Sequence, residues 1–227
     1  MNIDVSHNMS IPKNEYGIFL AKDISEILNL PYSSVRYWMF EFWDGRFSKG
    51  QDSLYSFGEK GNKAINFLTL IEFYTFYQLR KKGVSSQKIQ KAHQHIAKEL
   101  KTKYPFATAG ISTDGKKIWY EYLENLINAD GSTQIDMKRI IEPFLDKIDF
   151  GDNLHAERYY PLGKSHFVVV DPQHQFGQPT LPGTNLKTDT IFKFFKGGET
   201  RKNISVLYDL SPKHVSDAIL YYQNRRA

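Results

Sequence analysis

Residues 21–38 have the sequence AKDISEILNLPYSSVRYW, and this stretch decides how the first part of the chain folds. Its apolar side chains recur at the three- and four-residue spacing of a helix: Ile24, Ile27, Leu28, Val35 and Trp38. Between them, Asn29 favours the left-handed conformation that ends a helix, and Pro31 suits the first turn of a new one. The stretch therefore predicts two short helices joined by a tight turn.

The second of these helices carries Tyr32, Ser33, Arg36 and Tyr37 away from its apolar face. A helix that reads DNA needs small polar and basic side chains at its start, together with an arginine that reaches a phosphate or a guanine. The pattern therefore predicts a helix-turn-helix that binds DNA. The alternative is a helical hairpin in which Arg36 is exposed and binds nothing.

A small β-wing and two longer helices are predicted to follow. A glycine-bearing stretch precedes Leu54, Tyr55 and Phe57, which favour strands, and this combination indicates the wing. An apolar stripe over residues 67–77 predicts the first long helix, and Ser85 can cap the second.

The middle of the chain, residues 104–163, changes to alternating apolar and polar positions. Two or three strands are predicted within residues 118–137, and a helix that includes Phe144 and Leu145 is predicted after them. Three aspartates beyond that helix are interpreted as solvated surface: Asp146, Asp149 and Asp152.

Three short helices are predicted in the last third of the chain. Their expected capping residues are Thr188, Thr200 and Ser211. In the second of these helices, Ile204 and Leu207 are expected to point inward. A second DNA contact through the C-terminal residues Lys213, His214, Arg225 and Arg226 is left open.

The first of the three helices has phenylalanines around its whole circumference: Phe192, Phe194 and Phe195. A single helix in a small module can bury only one face internally. The remaining aromatic surface is therefore expected to contact a partner protein or a second subunit, or to pack on another segment of the same chain.

No catalytic, metal or cofactor site is predicted, and the chain is expected not to be an enzyme. It has no cysteine, which excludes disulfides and thiolate metal sites, and its seven histidines are scattered. His93 and His95 stand two residues apart, whereas zinc-binding pairs on a helix stand four apart. The formal net charge of +5 at pH 7 is compatible with a polyanionic partner. Since no apolar run is long enough to cross a membrane, a cytoplasmic, nucleoid-associated protein is expected.

The run from Phe19 to Trp38, the glycine-bearing wing and the sequence LRKKGVS at residues 79–85 together resemble a MerR-type winged helix-turn-helix. Cysteine sensor sites of metal-responsive members are missing here, so effector sensing is not implied. The resemblance implies backbone contacts by Arg36 and Tyr37, base proximity for Ser33 and Ser34, and a wing that includes Lys49 and Tyr55.

Residues 170–218 carry a second series of motifs: Val170-Asp171-Pro172, Phe176-Gly177-Gln178-Pro179, Pro182-Gly183-Thr184, Gly197-Gly198-Glu199 and Leu210-Ser211. They resemble the bacterial family of the domain of unknown function four hundred and thirty-three, whose members are commonly assigned as VapB-type antitoxins of PIN-like ribonuclease toxins. Asn185 stands where that family usually has arginine. The glycines and prolines themselves are interpreted as shaping a turn.

The predicted fold class is α+β, mainly α. Its three parts are a winged helix-turn-helix over residues 1–104, a small connecting α/β segment over residues 105–165, and a three-helix, helix-turn-helix-like module over residues 166–227. The resemblances imply an antitoxin that neutralises a PIN-like ribonuclease toxin and represses its own operon. Binding to double-stranded operator DNA is expected of a homodimer, because two-fold symmetry presents two recognition helices to successive major grooves. The alternatives are a plain transcriptional regulator without a toxin partner and a nucleic-acid-processing enzyme.

Overall fold

The computed structural model describes residues 17–49, 54–59, 61–108 and 142–223. The helices and strands are, in chain order, β1 (Phe19–Leu20), α1 (Ala21–Leu28), α2 (Tyr32–Trp38), a π-helical segment (Met39–Phe47), β2 (Ser56–Phe57), β3 (Ala64–Ile65), α3 (Phe67–Lys81), α4 (Ser86–Glu99), β4 (Ile148–Phe150), β5 (Ala156–Tyr159), a 3₁₀ turn (Gln175–Gly177), α5 (Thr188–Lys196), α6 (Arg201–Leu207) and α7 (Pro212–Gln223). The described part is a helix-rich α+β structure, which confirms the predicted class in outline. The strands predicted within residues 118–137 lie outside the described residues.

Two small antiparallel sheets are present in the described ranges. In the first, β3 lies between β1 and β2, with Ile65 opposite both Phe19 and Ser56. In the second, β4 pairs with β5, with Ile148 opposite Tyr159.

The β4–β5 hairpin was not predicted, and it corrects the interpretation of Asp149 as solvated surface. Asp149 lies in β4, where its carboxylate accepts hydrogen bonds from the Tyr160 hydroxyl at 2.7 Å and from the Lys164 ammonium at 2.6 Å. Burial alone would raise the pKa of Asp149, but these two hydrogen bonds outweigh it and hold the pKa below its usual value. Asp146 and Asp152 are exposed, as expected.

A large hydrophobic core extends from β1 to β5. In its centre, the indole of Trp43 stacks on Phe73 of α3, with 3.9 Å between the ring centroids. Phe106 and Ala107 belong to the same core, so residues on both sides of the predicted boundary at residues 104/105 pack together. The boundaries themselves stay predictions.

One buried carboxylate, that of Glu72 on α3, connects several parts of this core. Its Oε1 accepts the backbone N–H groups of Phe106 and Ala107 at 2.6 and 3.0 Å. Its Oε2 lies 2.9 Å from Nε2 of His93 on α4, within ion-pair distance although the orientation does not form a hydrogen bond. The carbonyl of Ala107 in turn accepts the N–H of Ala156 at 2.8 Å. Glu72 thus fixes the segment that follows α4 against α3, and this segment in turn contacts β5.

The last three helices, α5 to α7, pack around a second core: Leu181, Ile191, Ile204, Val215, Ala218 and Ile219. The carboxylate of Asp217 on α7 holds the preceding segment against this unit. It accepts hydrogen bonds from the Phe167 N–H at 2.9 Å and the Lys213 ammonium at 2.8 Å, and it lies 3.0 Å from Nδ1 of His166. Burial alone would raise the pKa of Asp217, but the hydrogen bonds from Lys213 and His166 lower it below its usual value.

The predicted helix caps are mostly confirmed. The hydroxyls of Ser85, Thr200 and Ser211 each accept a backbone N–H three residues further on. The prediction for Thr188 is wrong, because α5 begins at this residue, and its hydroxyl donates to the carbonyl of Pro179 at 3.1 Å.

The expectation that Leu207 points inward is also wrong, since this side chain is 62% exposed. Helix α6 has only seven residues, and Ile204 occupies its inward position. Leu207 is the last residue of the helix, where the chain already turns toward α7.

The N-terminal strand and the C-terminal part of the chain are in direct contact. The N–H of Ile18 donates to the carbonyl of Phe176 at 3.0 Å. Gly177 has a φ of +84°, and a Cβ at this position would overlap Cζ of Phe19. The motif glycine therefore shapes the turn, as expected, and also allows the Phe19 ring to approach the backbone.

We predict that Glu72→Ala lowers the free energy of unfolding by about 3 kcal/mol or more, because it leaves two buried N–H groups without their charged acceptor. Urea unfolding followed by tryptophan fluorescence measures this. Thr75→Val on the same helix is the matched control, since the buried Thr75 hydroxyl has no hydrogen-bond partner in the described ranges. This control should change stability by less than about 0.5 kcal/mol. Equal losses in the two variants would contradict the role of Glu72.

Candidate nucleic-acid interface

Helices α1 and α2 are joined by the tight turn that the sequence predicts. Asn29 adopts the left-handed conformation with a φ of +53°, and the N–H of Leu30 donates to the carbonyl of Ser25 at 2.9 Å. At the other end of α1, the carboxylate of Asp23 accepts the N–H of Leu20 at 2.8 Å. Both ends of α1 are therefore fixed by local hydrogen bonds, which positions α2.

Helix α2 continues directly into the π-helical segment Met39–Phe47. This segment buries Met39, Phe42, Trp43 and Phe47 against α3 and its neighbours. The sequence predicts a glycine-bearing stretch before the wing at this point, and the structure corrects this. The helical run continues to Phe47 because its aromatic side chains pack into the core.

The exposed face of this helical run carries Tyr32, Ser33, Arg36, Tyr37 and Phe40. Ser34 is partly buried. The guanidinium carbon of Arg36 lies 6.0 Å from the ring centroid of Tyr32 and 5.9 Å from that of Phe40. Arg36 is thus held between two aromatic rings at the positions four residues before and after it.

The hairpin formed by β2 and β3, at the position of the predicted wing, places Lys63 beside this face. The Lys63 ammonium lies 5.6 Å from the ring centroid of Phe40. Together, Tyr32, Arg36, Phe40 and Lys63 form a continuous surface of alternating aromatic and cationic groups, called here the α2 surface. Planar rings and fixed cations are suited to contacts with phosphates and base edges.

The wing is attached to the π-helical segment through Asp44. Its carboxylate accepts hydrogen bonds from the N–H of Ser56 at 3.0 Å, from the Ser56 hydroxyl and from the Lys63 ammonium at 2.8 Å. This clamp fixes the position of Lys63 relative to Arg36 and compensates part of the Lys63 charge. Lys49, which is predicted on the wing, is exposed at the end of the segment before the hairpin.

Tyr55 is a correction to the predicted site. Its side chain is 2% exposed, and its hydroxyl donates to the carbonyl of Lys103 at 2.8 Å. The ring packs edge-on against Tyr104, with 5.8 Å between centroids. Tyr55 is part of the core, where it cannot reach DNA.

Sequence reasoning missed Phe40 and Lys63. The four-residue spacing from Tyr32 through Arg36 to Phe40 is visible in the sequence. It places the three side chains on one face only if the helix continues past residue 39. Lys63 is brought to the α2 surface by strand pairing and by its contact with Asp44, which no local pattern indicates.

The C-terminal phenylalanines differ in their surroundings. Phe192 stacks on Tyr222, with 4.6 Å between ring centroids, and Phe195 packs against the second core. Phe194 is partly exposed and contacts Tyr208 edge-on at 5.7 Å. Of the three, Phe194 therefore presents the most surface to a partner.

The C-terminal basic residues are engaged within the unit. Lys213 donates to Asp217, and His214 stacks on Phe167 with 4.0 Å between ring centroids. Arg225 and Arg226 lie outside the described residues.

Two negative findings concern the described residues alone. No group of three or more histidines, aspartates or glutamates there is arranged to hold a metal ion. Among the helices of the same ranges, none has the length and apolar character that a membrane span requires.

Residues 168–222 match the family described as "Protein of unknown function (DUF433)". Over 170 residues, 68% of this chain and 70% of the relative, the sequence is 24% identical to "Putative antitoxin VapB45" of Mycobacterium tuberculosis. Over 59 residues, 26% of this chain and 25% of the relative, it is 37% identical to "Uncharacterized protein Rv2308" of the same organism. The first two matches together support an antitoxin-like family.

A solved structure shows the same fold. The crystal structure of Rv2018 from Mycobacterium tuberculosis superimposes with a TM-score of 0.68 at 21% identity, over 88% of this chain and 96% of that chain. At this level of identity the similarity concerns the fold alone.

We predict that Asp44→Ala loosens the wing, because the Ser56 N–H loses its carboxylate acceptor and Lys63 loses its partner. The amide of Ser56 should exchange with solvent at least tenfold faster, measured by hydrogen exchange in NMR spectra. Glu59→Ala is the control, since its exposed side chain lies in the same hairpin. Unchanged exchange at Ser56 in Asp44→Ala would show that the clamp does not hold the wing.

Proposed function

We propose that this chain binds double-stranded DNA through the α2 surface. The observation that carries the proposal is the position of Arg36, which is exposed on the second of two short helices joined by a tight turn and lies between Tyr32 and Phe40. A side chain that is already restricted loses less conformational entropy when it binds a phosphate or a guanine.

The order of elements around Arg36 supports a winged helix-turn-helix. Two short helices joined by a left-handed turn are followed by a hairpin whose strands pair beside them. In such an arrangement the second helix enters the major groove and the wing lies along the neighbouring backbone. A homodimer would present two such helices to one face of an operator.

We further propose that the chain acts as the antitoxin of a toxin–antitoxin pair. The support comes from the relative named as an antitoxin, which matches over more than two thirds of its own length. In addition, two consecutive apolar side chains of the C-terminal three-helix unit (α5 to α7) are exposed, Val206 by 77% and Leu207 by 62%. Tyr208 follows Leu207 in the chain, and Phe194 packs edge-on against Tyr208. Clustered exposed apolar side chains are typical of protein–protein contacts. This apolar C-terminal surface is the proposed contact with a ribonuclease toxin.

We propose no enzymatic activity for this chain. The plain regulator without a toxin remains the second candidate, because the α2 surface alone would serve it equally well. The two differ at the apolar C-terminal surface, which has a function only if a partner protein covers it.

We predict that Arg36→Ala weakens binding to a duplex from the protein's own promoter by about 1–3 kcal/mol, which is about 5- to 150-fold in Kd. The Tm should not change, since Arg36 lies outside the core. Fluorescence anisotropy at several salt concentrations measures both the loss and the salt dependence that phosphate contacts produce.

The matched control for this experiment is Lys202→Ala, which removes one exposed positive charge from α6, a helix that packs on the second core. It should bind within twofold of the wild type. If the two variants lose affinity equally, the effect is one of net charge and the α2 surface is not the binding site.

We predict that Val206→Asp combined with Leu207→Asp abolishes toxin neutralisation and leaves DNA binding unchanged. Both side chains are exposed, so the second core should stay intact. Growth of cells that co-express the toxin encoded beside this gene measures neutralisation, and anisotropy measures DNA binding.

Ser216→Asp introduces a charge at an exposed position of α7 and serves as the control. This variant should still protect the cells. Protection by the Val206 and Leu207 double variant would place the toxin contact elsewhere, and loss of DNA binding in that variant would mean that the two activities are not separate.

A further inference from the structure

A polar cleft of about 240 Å³ lies where four parts of the chain meet. The end of α1, one face of α3, the residues around β4 and β5, and Tyr221 of α7 line it. Its volume is slightly below the roughly 300–1,000 Å³ that is typical of small-molecule sites. The cleft therefore has room for a compact ligand.

Two lysines face this cleft without a carboxylate partner. Lys81 at the end of α3 and Lys147 before β4 both line it, and neither forms an ion pair in the described part of the chain. The Lys147 ammonium donates one hydrogen bond, to the carbonyl of Pro161 at 3.1 Å. Burial lowers the pKa of Lys147, and the nearby positive charge of Lys81 lowers it further. Two repelling cations at a cleft are stabilised by an anion placed between them.

The remaining polar groups also suit an anionic ligand. Tyr74 and Tyr159 both line the cleft, and burial raises the pKa of each hydroxyl. The two hydroxyls are hydrogen-bonded to each other, so the pair keeps one O–H to donate to a ligand. Glu26 is the acidic residue of the lining, and its carboxylate lies 4.0 Å from Lys22 on the exposed side of α1. Protonated tyrosines and lysines recognise oxyanions, and tyrosine rings provide a flat apolar wall for the body of the ligand.

We propose that this cleft binds a small molecule that carries a phosphate or carboxylate group, with Lys81 and Lys147 as its charged contacts. The ligand would connect α1 of the helix-turn-helix with α7 of the C-terminal unit. The proposal rests on the geometry of the cleft and does not depend on DNA or toxin binding.

Isothermal titration calorimetry of the full chain at low salt tests it, with inorganic pyrophosphate and citrate as probes. The expected result is saturable binding at one site per chain with at least one probe. Binding of pyrophosphate alone identifies a phosphate ligand, and binding of citrate alone identifies a carboxylate ligand. The absence of saturable binding by either probe overturns the proposal.

Two variants locate the site. Lys81→Met and Lys147→Met should each raise the Kd at least tenfold, whereas Lys82→Met should leave it within twofold, since Lys82 is exposed and outside the cleft. Thermal melting without a probe checks that each variant is folded. Because Lys81 is exposed, Lys81→Met should stay folded and tests the site even if Lys147→Met unfolds. Equal binding by wild type and Lys81→Met overturns the proposal, as does an equal loss in Lys82→Met.

Discussion

The buried carboxylate of Glu72 is the interaction on which the rest of the structure depends. A carboxylate inside a core is tolerated where donors meet it, and here two consecutive backbone N–H groups do so. Nε2 of His93 lies 2.9 Å from the second carboxylate oxygen without forming a hydrogen bond. The segment that follows α4 must therefore pack back against α3. The carbonyl of Ala107 in this segment accepts the N–H of Ala156 in β5. Because Tyr159 at the end of β5 also packs on Tyr74 of α3, with 4.7 Å between ring centroids, one helix organises both sides of the core.

The same helix fixes the α2 surface from behind. Trp38 and Trp43 pack on the ring of Phe76 of α3, with centroid distances of 5.3 and 5.1 Å. A helix anchored by two indoles has little freedom to rotate, so its opposite face keeps Arg36 in one position. The aromatic core thus fixes the helix that carries Arg36. On the hairpin side of the α2 surface, Asp44 fixes Lys63.

The sequence predicted the elements that local signals define, and it missed those that depend on distant residues. Ser85 and Thr200 cap their helices as expected, because a cap requires only residues three positions apart. The β4–β5 hairpin was missed because its stability comes from packing on α3 and from pairing with Val170, which lies eleven residues beyond Tyr159. Of the predicted DNA contacts on α2, Tyr32, Ser33, Arg36 and Tyr37 lie on the surface and Ser34 is partly buried. Tyr55 is buried because its hydroxyl bonds to a segment that no local pattern connects with it.

The motif Phe176-Gly177 shows why the two halves of the chain are best tested together. Phe19 occupies the space that a side chain at residue 177 would fill, and Ile18 donates to the carbonyl of Phe176. The Gln175 and Phe176 residues adopt positive φ values of +48° and +55°, a conformation that costs free energy in residues other than glycine. This turn is held in place partly by the N-terminal strand, so removal of the C-terminal unit would uncover Phe19 and Tyr159 and disturb the first core. Surface substitutions such as those at Arg36 and Leu207 leave this contact intact, and they can therefore separate the two proposed activities where a truncation cannot.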